Sequence, residues 1–208
     1  MIYTNAQGGA PYMGLILDAQ KSAKRQALLD SAYDLFLSQG AEKTSISDIV
    51  TRAGIAKGTF YLYFHDKQDI LRALTARISH QVMSDALNFL DKHLSPNPTD
   101  NVIAFVDYIV EFFKREPFVL RVIERNFSWP SLEKDIRSGA DKLYARLQQD
   151  LCNIPSLQNR PTEDIFRLLF SLVTLVGSMC YSSIIENRPA PIDDMKPVIY
   201  DIIRKSLN

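Results

Sequence analysis

Residues 44–67 read TSISDIVTRAGIAKGTFYLYFHDK, and this stretch decides the fold. Ser45 stands where a helix wants an N-cap, and Asp48, three residues on, can answer it as a short-armed capping box. Ile46, Ile49, Val50 and Ala53 recur at offsets of three, four and seven residues, which gives one apolar face. Gly54 follows the last periodic residue, where a left-handed backbone is unstrained only for glycine, so the first helix ends there. Ile55 is apolar just after the turn. From Lys57 a second helix is predicted, carrying Phe60 and Phe64 inward at an i, i+4 spacing, with Lys57, Thr59, Tyr61, Leu62 and Tyr63 on the opposite face.

That outward face points to DNA. In a helix-turn-helix the second helix lies in the major groove with its first residues at base edges, while hydroxyls, amines and backbone N–H groups hold phosphates. Lys57 is long enough to reach guanine O6 or N7, and Gly58 has no side chain to keep the backbone away. Thr59, Tyr61 and Tyr63 offer hydroxyls to phosphate oxygens. Lys67 follows a candidate Asp66 cap at the start of the next helix and supplies a point charge. The plainer explanation for any one of these residues is a surface helix packed on a neighbour; the set at these spacings favours DNA.

The chain resembles the TetR family of bacterial transcriptional regulators in this region. The resemblance rests on a long first helix, the Thr44-Ser45 helix start, the Ala53-Gly54-Ile55 turn, the run from Lys57 through Gly58, Thr59, Phe60, Tyr61, Leu62 and Tyr63 to Phe64, and a charged cap through Lys67. It covers residues 24–74, about a quarter of the chain. It implies that Thr44, Ser45, Ser47, Tyr61, Leu62, Tyr63 and Lys67 lie at DNA-contacting positions, and Lys57, Gly58 and Thr59 nearest the bases. Two departures stand out. Ala56 replaces the hydroxyl residue common before the recognition helix, forgoing a cap worth about 0.5–2 kcal/mol. His65 replaces a common lysine, which makes a phosphate contact there weaker and pH dependent.

Composition fits an all-α protein of two modest domains. With 208 residues and 46% apolar content the chain can bury one ordinary core and a smaller second one. It is neutral overall, with 24 basic and 24 acidic residues, but residues 1–80 hold 9 basic against 7 acidic. The sign of that small excess agrees with a nucleic-acid partner for the N-terminal part. Cys152 and Cys180 stand in no metal-like or redox spacing, which favours a reducing compartment and a cytoplasmic location. Residues 1–20 are expected to be a disordered extension, and either Met1 or Met13 can serve as the start. The longest apolar stretch, residues 168–181, is broken by polar residues and falls short of the ~20 a membrane span needs, so no membrane is expected.

Helices are predicted over residues 22–38, 67–94, 100–115, 118–126, 132–151, 163–187 and 193–207 besides the two of the helix-turn-helix, with prolines as separators. This places a three-helix DNA-binding domain at 21–66 and a helical domain for ligand binding and dimerisation at 67–208. The helix at 163–187 is apolar nearly all round, and the last helix carries a similar surplus, so each has a second face to cover. A two-fold dimer built as a four-helix bundle covers both, with Leu169, Val173, Val176, Gly177, Cys180, Ile199, Ile202 and Ile203 as candidate interface residues. TetR-like proteins dimerise through their last two long helices. Two recognition helices would then sit about 34–36 Å apart, or a multiple of it, and read a near-palindromic operator.

Phe105, Tyr108, Phe112, Arg121, Arg125, Phe127, Trp129 and Tyr144 are candidates for a ligand site, since aromatic walls with one or two charged anchors suit an apolar or anionic molecule. They serve equally as core. The resemblance implies a small-molecule ligand that releases a homodimeric repressor from its operator; neither a cofactor nor a metal is expected. An enzyme is the first rival, but His65, His80 and His93 have no metal-site spacing, the acidic pairs sit at helix starts, and no phosphate loop or nucleophile elbow occurs. The alternative within the same fold is a second domain that binds a protein partner through Phe127, Trp129 and Leu132.

Overall fold

The computed structural model describes the backbone of residues 10–126 and 141–207, with side chains except at 10–18, 124–126 and 144. Every regular element among the described residues is helical. In order they are α1 (Ala10–Gln39), α2 (Ile46–Ala53), α3 (Lys57–Phe60), α4 (Lys67–Asp91), α5 (Pro98–Arg115), α6 (Pro117–Asn126), α7 (Lys142–Cys152), α8 (Thr162–Cys180), a π-helical turn (Tyr181–Ile185) and α9 (Ile192–Leu207). The chain forms two compact units, Met1–Leu74 and Thr75–Asn208.

In the first unit α1 supplies Leu28, Leu29, Ala32 and Phe36, spaced along one helical face and almost wholly buried. They meet Ile49 and Val50 of α2, Phe60 and Phe64 around α3, and Ile70, Leu71 and Leu74 from the first turns of α4. This explains why the unit ends inside α4 rather than at residue 66: the start of α4 completes its core. α1 itself begins at Ala10, twelve residues before the expected start. Pro11 is tolerated in a first turn, and no proline follows it within α1, so the expected disorder of residues 1–20 does not hold over 10–20. Residues 1–9 lie outside the described residues.

In the second unit α5 begins at Pro98, the first helical position, behind an Asn97 cap whose Oδ1 accepts from the Thr99 N–H at 3.0 Å. Pro117 likewise opens α6. These prolines start helices rather than only separating them. α8 runs into the π-helical turn, and Asn187, with φ 55°, closes it in the left-handed region that asparagine tolerates. The stretch Thr162–Ile185 is 24 residues, and its most apolar 18-residue window has a mean hydropathy of 1.9, long and apolar enough to cross a membrane by length and composition. That corrects the shorter sequence estimate, which stopped at the apolar run and not at the helix. α8 packs on α6 and α9 within the unit.

Candidate nucleic-acid interface and ligand cavity

The turn between α2 and α3 is built from caps. Ser45 N–H and Oγ both donate to Asp48 Oδ2 at 2.8 Å, and the Asp48 N–H returns to Ser45 Oγ at 3.1 Å, a complete reciprocal capping box. The Ser45 N–H, and then its hydroxyl, hold the Asp48 carboxyl below the usual carboxylate range. Gly54 has φ 66°, and the N–H groups of Gly54 and Ile55 return to Thr51 O and Val50 O at 3.2 and 3.0 Å. Asp66 caps α4 by accepting from the Asp69 N–H at 2.7 Å, and Asp69 reaches back to the His65 N–H at 3.0 Å. The Arg25 guanidinium lies 5.4 Å from the centre of the Phe64 ring, which fixes the end of the reading segment.

α3 is shorter than expected. It spans Lys57–Phe60, and residues 61–63 continue as turns closed by Leu62 N–H to Thr59 O and Tyr63 N–H to Phe60 O. Ala56 makes no side-chain cap, Gly58 lies in the first turn, and Thr59, Phe60, Tyr61 and Tyr63 are all weaker helix formers than alanine. The inward and outward assignment nevertheless holds. Phe60 and Phe64 are buried; Lys57, Gly58, Tyr61 and Leu62 are exposed, with Leu62 at 79%. Thr59 and Tyr63 are half-buried. Among the described residues, the side chains of Ser47, Lys57, Thr59, Tyr61 and Tyr63 make no hydrogen bond within the protein. A Cβ added to Gly58 meets nothing within 4 Å, so packing inside the chain does not require glycine there.

Two expected contact residues are occupied elsewhere. Lys67 Nζ donates to Ala41 O, Glu42 O and Thr44 O at 2.8, 3.2 and 3.1 Å, which uses all three of its donors. Its charge closes the loop between α1 and α2 rather than standing free for a phosphate. Thr44 is 1% exposed, and its Oγ1 donates to Gly40 O at 2.8 Å while accepting from Gln39 Nε2 at 3.2 Å. Its side chain is structural. Ser45 remains at the surface with its hydroxyl engaged in the cap.

The second unit encloses a cavity of about 1020 Å³ between α4, α5, α7 and α8. Of the residues proposed from sequence, Phe105 lines it. Tyr108 does not; its ring packs on Phe89 at 5.3 Å. Phe112 sits edge-on to Phe113 at 5.7 Å, and it is Phe113 that reaches the cavity. Arg121 is exposed and outside the lining. Phe127, Trp129 and the side chains of Arg125 and Tyr144 lie outside the described residues. Met83, Leu87, Leu90 and Leu94 of α4 and its C-terminal end were missed, although their alternating four- and three-residue spacing marks one helical face. Phe166 and Tyr181 were also missed as lining residues.

Several proposed interface residues turn inward. Cys180 and Ile199 are fully buried, Ile203 is 1% exposed and Val176 9%. Burial pushes the Cys180 thiol up to about 12, so it stays protonated at neutral pH. Leu169, Val173, Val176, Gly177 and Ile203 line the cavity. A helix apolar on all sides serves core, cavity and outer surface at once, and periodicity does not say which residue serves which. Phe170, Val173 and Val198 are the large apolar side chains of α8 and α9 left exposed, at 40%, 38% and 46%. Ile202 is half-buried.

Several charged groups of this unit are paired across helices. Arg146 on α7 holds Asp91, the last residue of α4, through Nη1 and Nη2 at 3.2 and 2.5 Å, and Asp150 through Nε at 3.2 Å. The guanidinium keeps Asp91 well below the usual carboxylate range. Lys196 of α9 lies between Asp107 and Glu111 of α5, Tyr200 donates to Asp107, and Lys114 holds Asp193 at 2.6 Å. That network fastens α9 to α5.

Residues 28–74 match the model of the bacterial regulatory proteins of the tetR family. The uncharacterised HTH-type transcriptional regulator YvdT of Bacillus subtilis is 42% identical over 59 residues, which are 28% of this chain and 30% of that protein. The HTH-type transcriptional repressor BepR of Brucella suis is 27% identical over 142 residues, 62% of this chain and 66% of that one. The chain thus spans less than a third of the first relative and just under two thirds of the second. Both are named as transcriptional regulators, not as enzymes. A crystal structure of a TetR-family regulator from Syntrophomonas wolfei superposes with a TM-score of 0.61 at 20% identity, covering 89% of this chain and 95% of that one, which establishes the fold. Residues 28–74 thus carry the segment by which the tetR family of bacterial regulatory proteins is recognised, and the chain has the fold of solved TetR-family regulators.

Proposed function

We propose that the protein is a homodimeric transcriptional repressor that a small-molecule ligand releases from a near-palindromic operator. The observation that carries the DNA-binding part is the reading turn itself: caps fix its backbone, while Lys57, Thr59, Tyr61 and Tyr63 keep their polar groups uncommitted. Gly58 leaves open space at its Cβ, as close approach to a base pair requires. Ser47 adds an exposed hydroxyl at the start of α2, where backbone N–H groups favour a phosphate.

Dimerisation is supported by α8. Only 22% of its most apolar window is buried within the chain, and Phe170 and Val198 stay exposed on neighbouring helices. A second copy packed on α8 and α9 removes that apolar surface from water. A cytoplasmic location, where the DNA is, accords with this better than a membrane span, because α8 also lines a cavity in its own unit. The cavity volume lies at the upper end of small-molecule sites and favours such a ligand over a protein partner.

Selection of bound duplexes from a random pool, at stated salt, tests the reading. An enriched near-palindrome with two half-sites is the expected result, and Lys57→Ala relaxes its base preference. Salt-sensitive binding without enrichment would overturn the proposed reader.

A further inference from the structure

We infer that the cavity of the second unit takes an uncharged, elongated and mostly apolar molecule whose single hydrogen-bonding end group meets Ser79 of α4. This rests on the reading of the cavity as a ligand site and adds the ligand's chemistry. The wall is dominated by side chains such as Val82, Met83, Leu87, Phe105, Phe113 and Leu172. A buried polar atom in such a wall normally has a partner. Ser79 lines the cavity, its Oγ is buried, and no protein group among the described residues satisfies it. The hydroxyl can both donate to a carbonyl and accept from another hydroxyl.

Among the other polar lining residues, which include Gln148, Thr162, Ser178 and Tyr181, two are tied within the protein. The Asn101 amide is tied to the Ser95 backbone at 2.7 and 3.0 Å, and Thr174 Oγ1 to Phe170 O at 2.8 Å. Arg146 and Asp150 are charged lining residues, and Asp91 and Asp150 hold that guanidinium between them. No uncompensated charge among the described lining residues therefore favours an ionic head, and burying one unpaired is costly. At 1.5 Å per helical residue, Ser79 and Asp91 are about 18 Å apart along α4. The unsatisfied hydroxyl and the closed ion cluster thus mark opposite ends of an apolar space, which suits a long molecule with one polar end. Because Ser79 stands on α4, the helix that begins in the DNA-binding unit, the end group contacts that helix directly.

The test is displacement of Nile red from the purified full chain, without DNA, by dodecanol, dodecanoate and dodecyltrimethylammonium below their micelle concentrations. Dodecanol is expected to displace best. Ser79→Ala should weaken dodecanol roughly tenfold and Ser79→Thr should restore it, while Nile red itself is little changed. Ser79→Ala should also raise the melting temperature of the free protein by about 2–4 °C, since an unsatisfied buried hydroxyl is removed. Stronger displacement by either ionic probe, or a dodecanol affinity indifferent to Ser79→Ala, would overturn the inference while leaving the cavity a ligand site. Failure of Nile red to bind at all would overturn both.

Discussion

The two units differ in the balance of what their polar side chains do, although Arg52 also holds Asp34 across α1 and α2 in the first and Asn97 caps α5 in the second. In residues 1–74 many secure backbone ends: Ser45 and Asp48 close α2, Asp66 and Asp69 open α4, and Lys67 gathers three carbonyls. In residues 75–208 many secure other side chains across helices, as Arg146 does Asp91 and Lys114 does Asp193. Caps are local and fix the backbone of a short turn, which a base-reading surface needs. Side-chain pairs between helices hold a frame while leaving an apolar space inside it. The first arrangement makes a rigid reader and the second a container.

Phe170→Asp gives the sharpest test of the container's outer surface. A charge in the proposed dimer face should weaken self-association at least about 100-fold, roughly 3 kcal/mol, as read by sedimentation, with the helix content kept. An unchanged dimer would move the interface away from α8. Lys67→Met comes next and tests the reader. Leaving Ala41, Glu42 and Thr44 carbonyls without their charged donor should cost about 2–3 kcal/mol of stability, measured by thermal melting. Operator affinity should then fall equally for all sequences. A variant with wild-type stability but weaker DNA binding would return Lys67 to the phosphate role expected from sequence.

Legibility followed the same division. The Ser45–Asp48 box, the Gly54 turn, the missing cap at Ala56 and the Asp66 cap could all be read, because each depends on residues within four positions of one another. Lys67 could not, since its partners lie 23 to 26 residues earlier in the chain. The cavity was harder still. Choosing Phe113 over Phe112, or Val173 and Gly177 as cavity lining rather than dimer face, depends on how helices far apart in sequence turn toward each other. What periodicity showed was that α8 had too much apolar surface for one neighbour, and the exposure of Phe170 agrees.

Smaller effects sharpen the account of the reader. Gly54→Ala should cost about 1–2 kcal/mol through the positive φ alone, as nothing lies within 4 Å of the added Cβ. Ser45→Ala should cost about 1 kcal/mol at neutral pH, by denaturant unfolding. Its pH dependence has a definite sign. The folded Asp48 carboxyl titrates below its unfolded value, so its stabilisation is complete above about pH 4 and is lost as the pH falls through the lower folded value. The gap between wild type and Ser45→Ala should therefore narrow in acid. A gap that widened there would mean that Asp48 is not the partner that matters.

Leu62 should show the smallest effect on the fold and still report on function. At 79% exposure it contributes little to the core, so Leu62→Ala should change stability by less than about 0.5 kcal/mol. An exposed leucine among free hydroxyls has one obvious apolar target in a major groove, the C5 methyl of thymine. Replacing thymines of the selected operator one at a time by deoxyuridine removes only that methyl. Wild-type protein should lose about threefold in affinity at one position of each half-site, and Leu62→Ala should be indifferent to the same change. Equal losses in both proteins would assign the methyl to another side chain, Thr59 being the nearest in sequence able to supply one. No loss anywhere would leave Leu62 facing solvent, and base reading would rest with Lys57 and the backbone at Gly58.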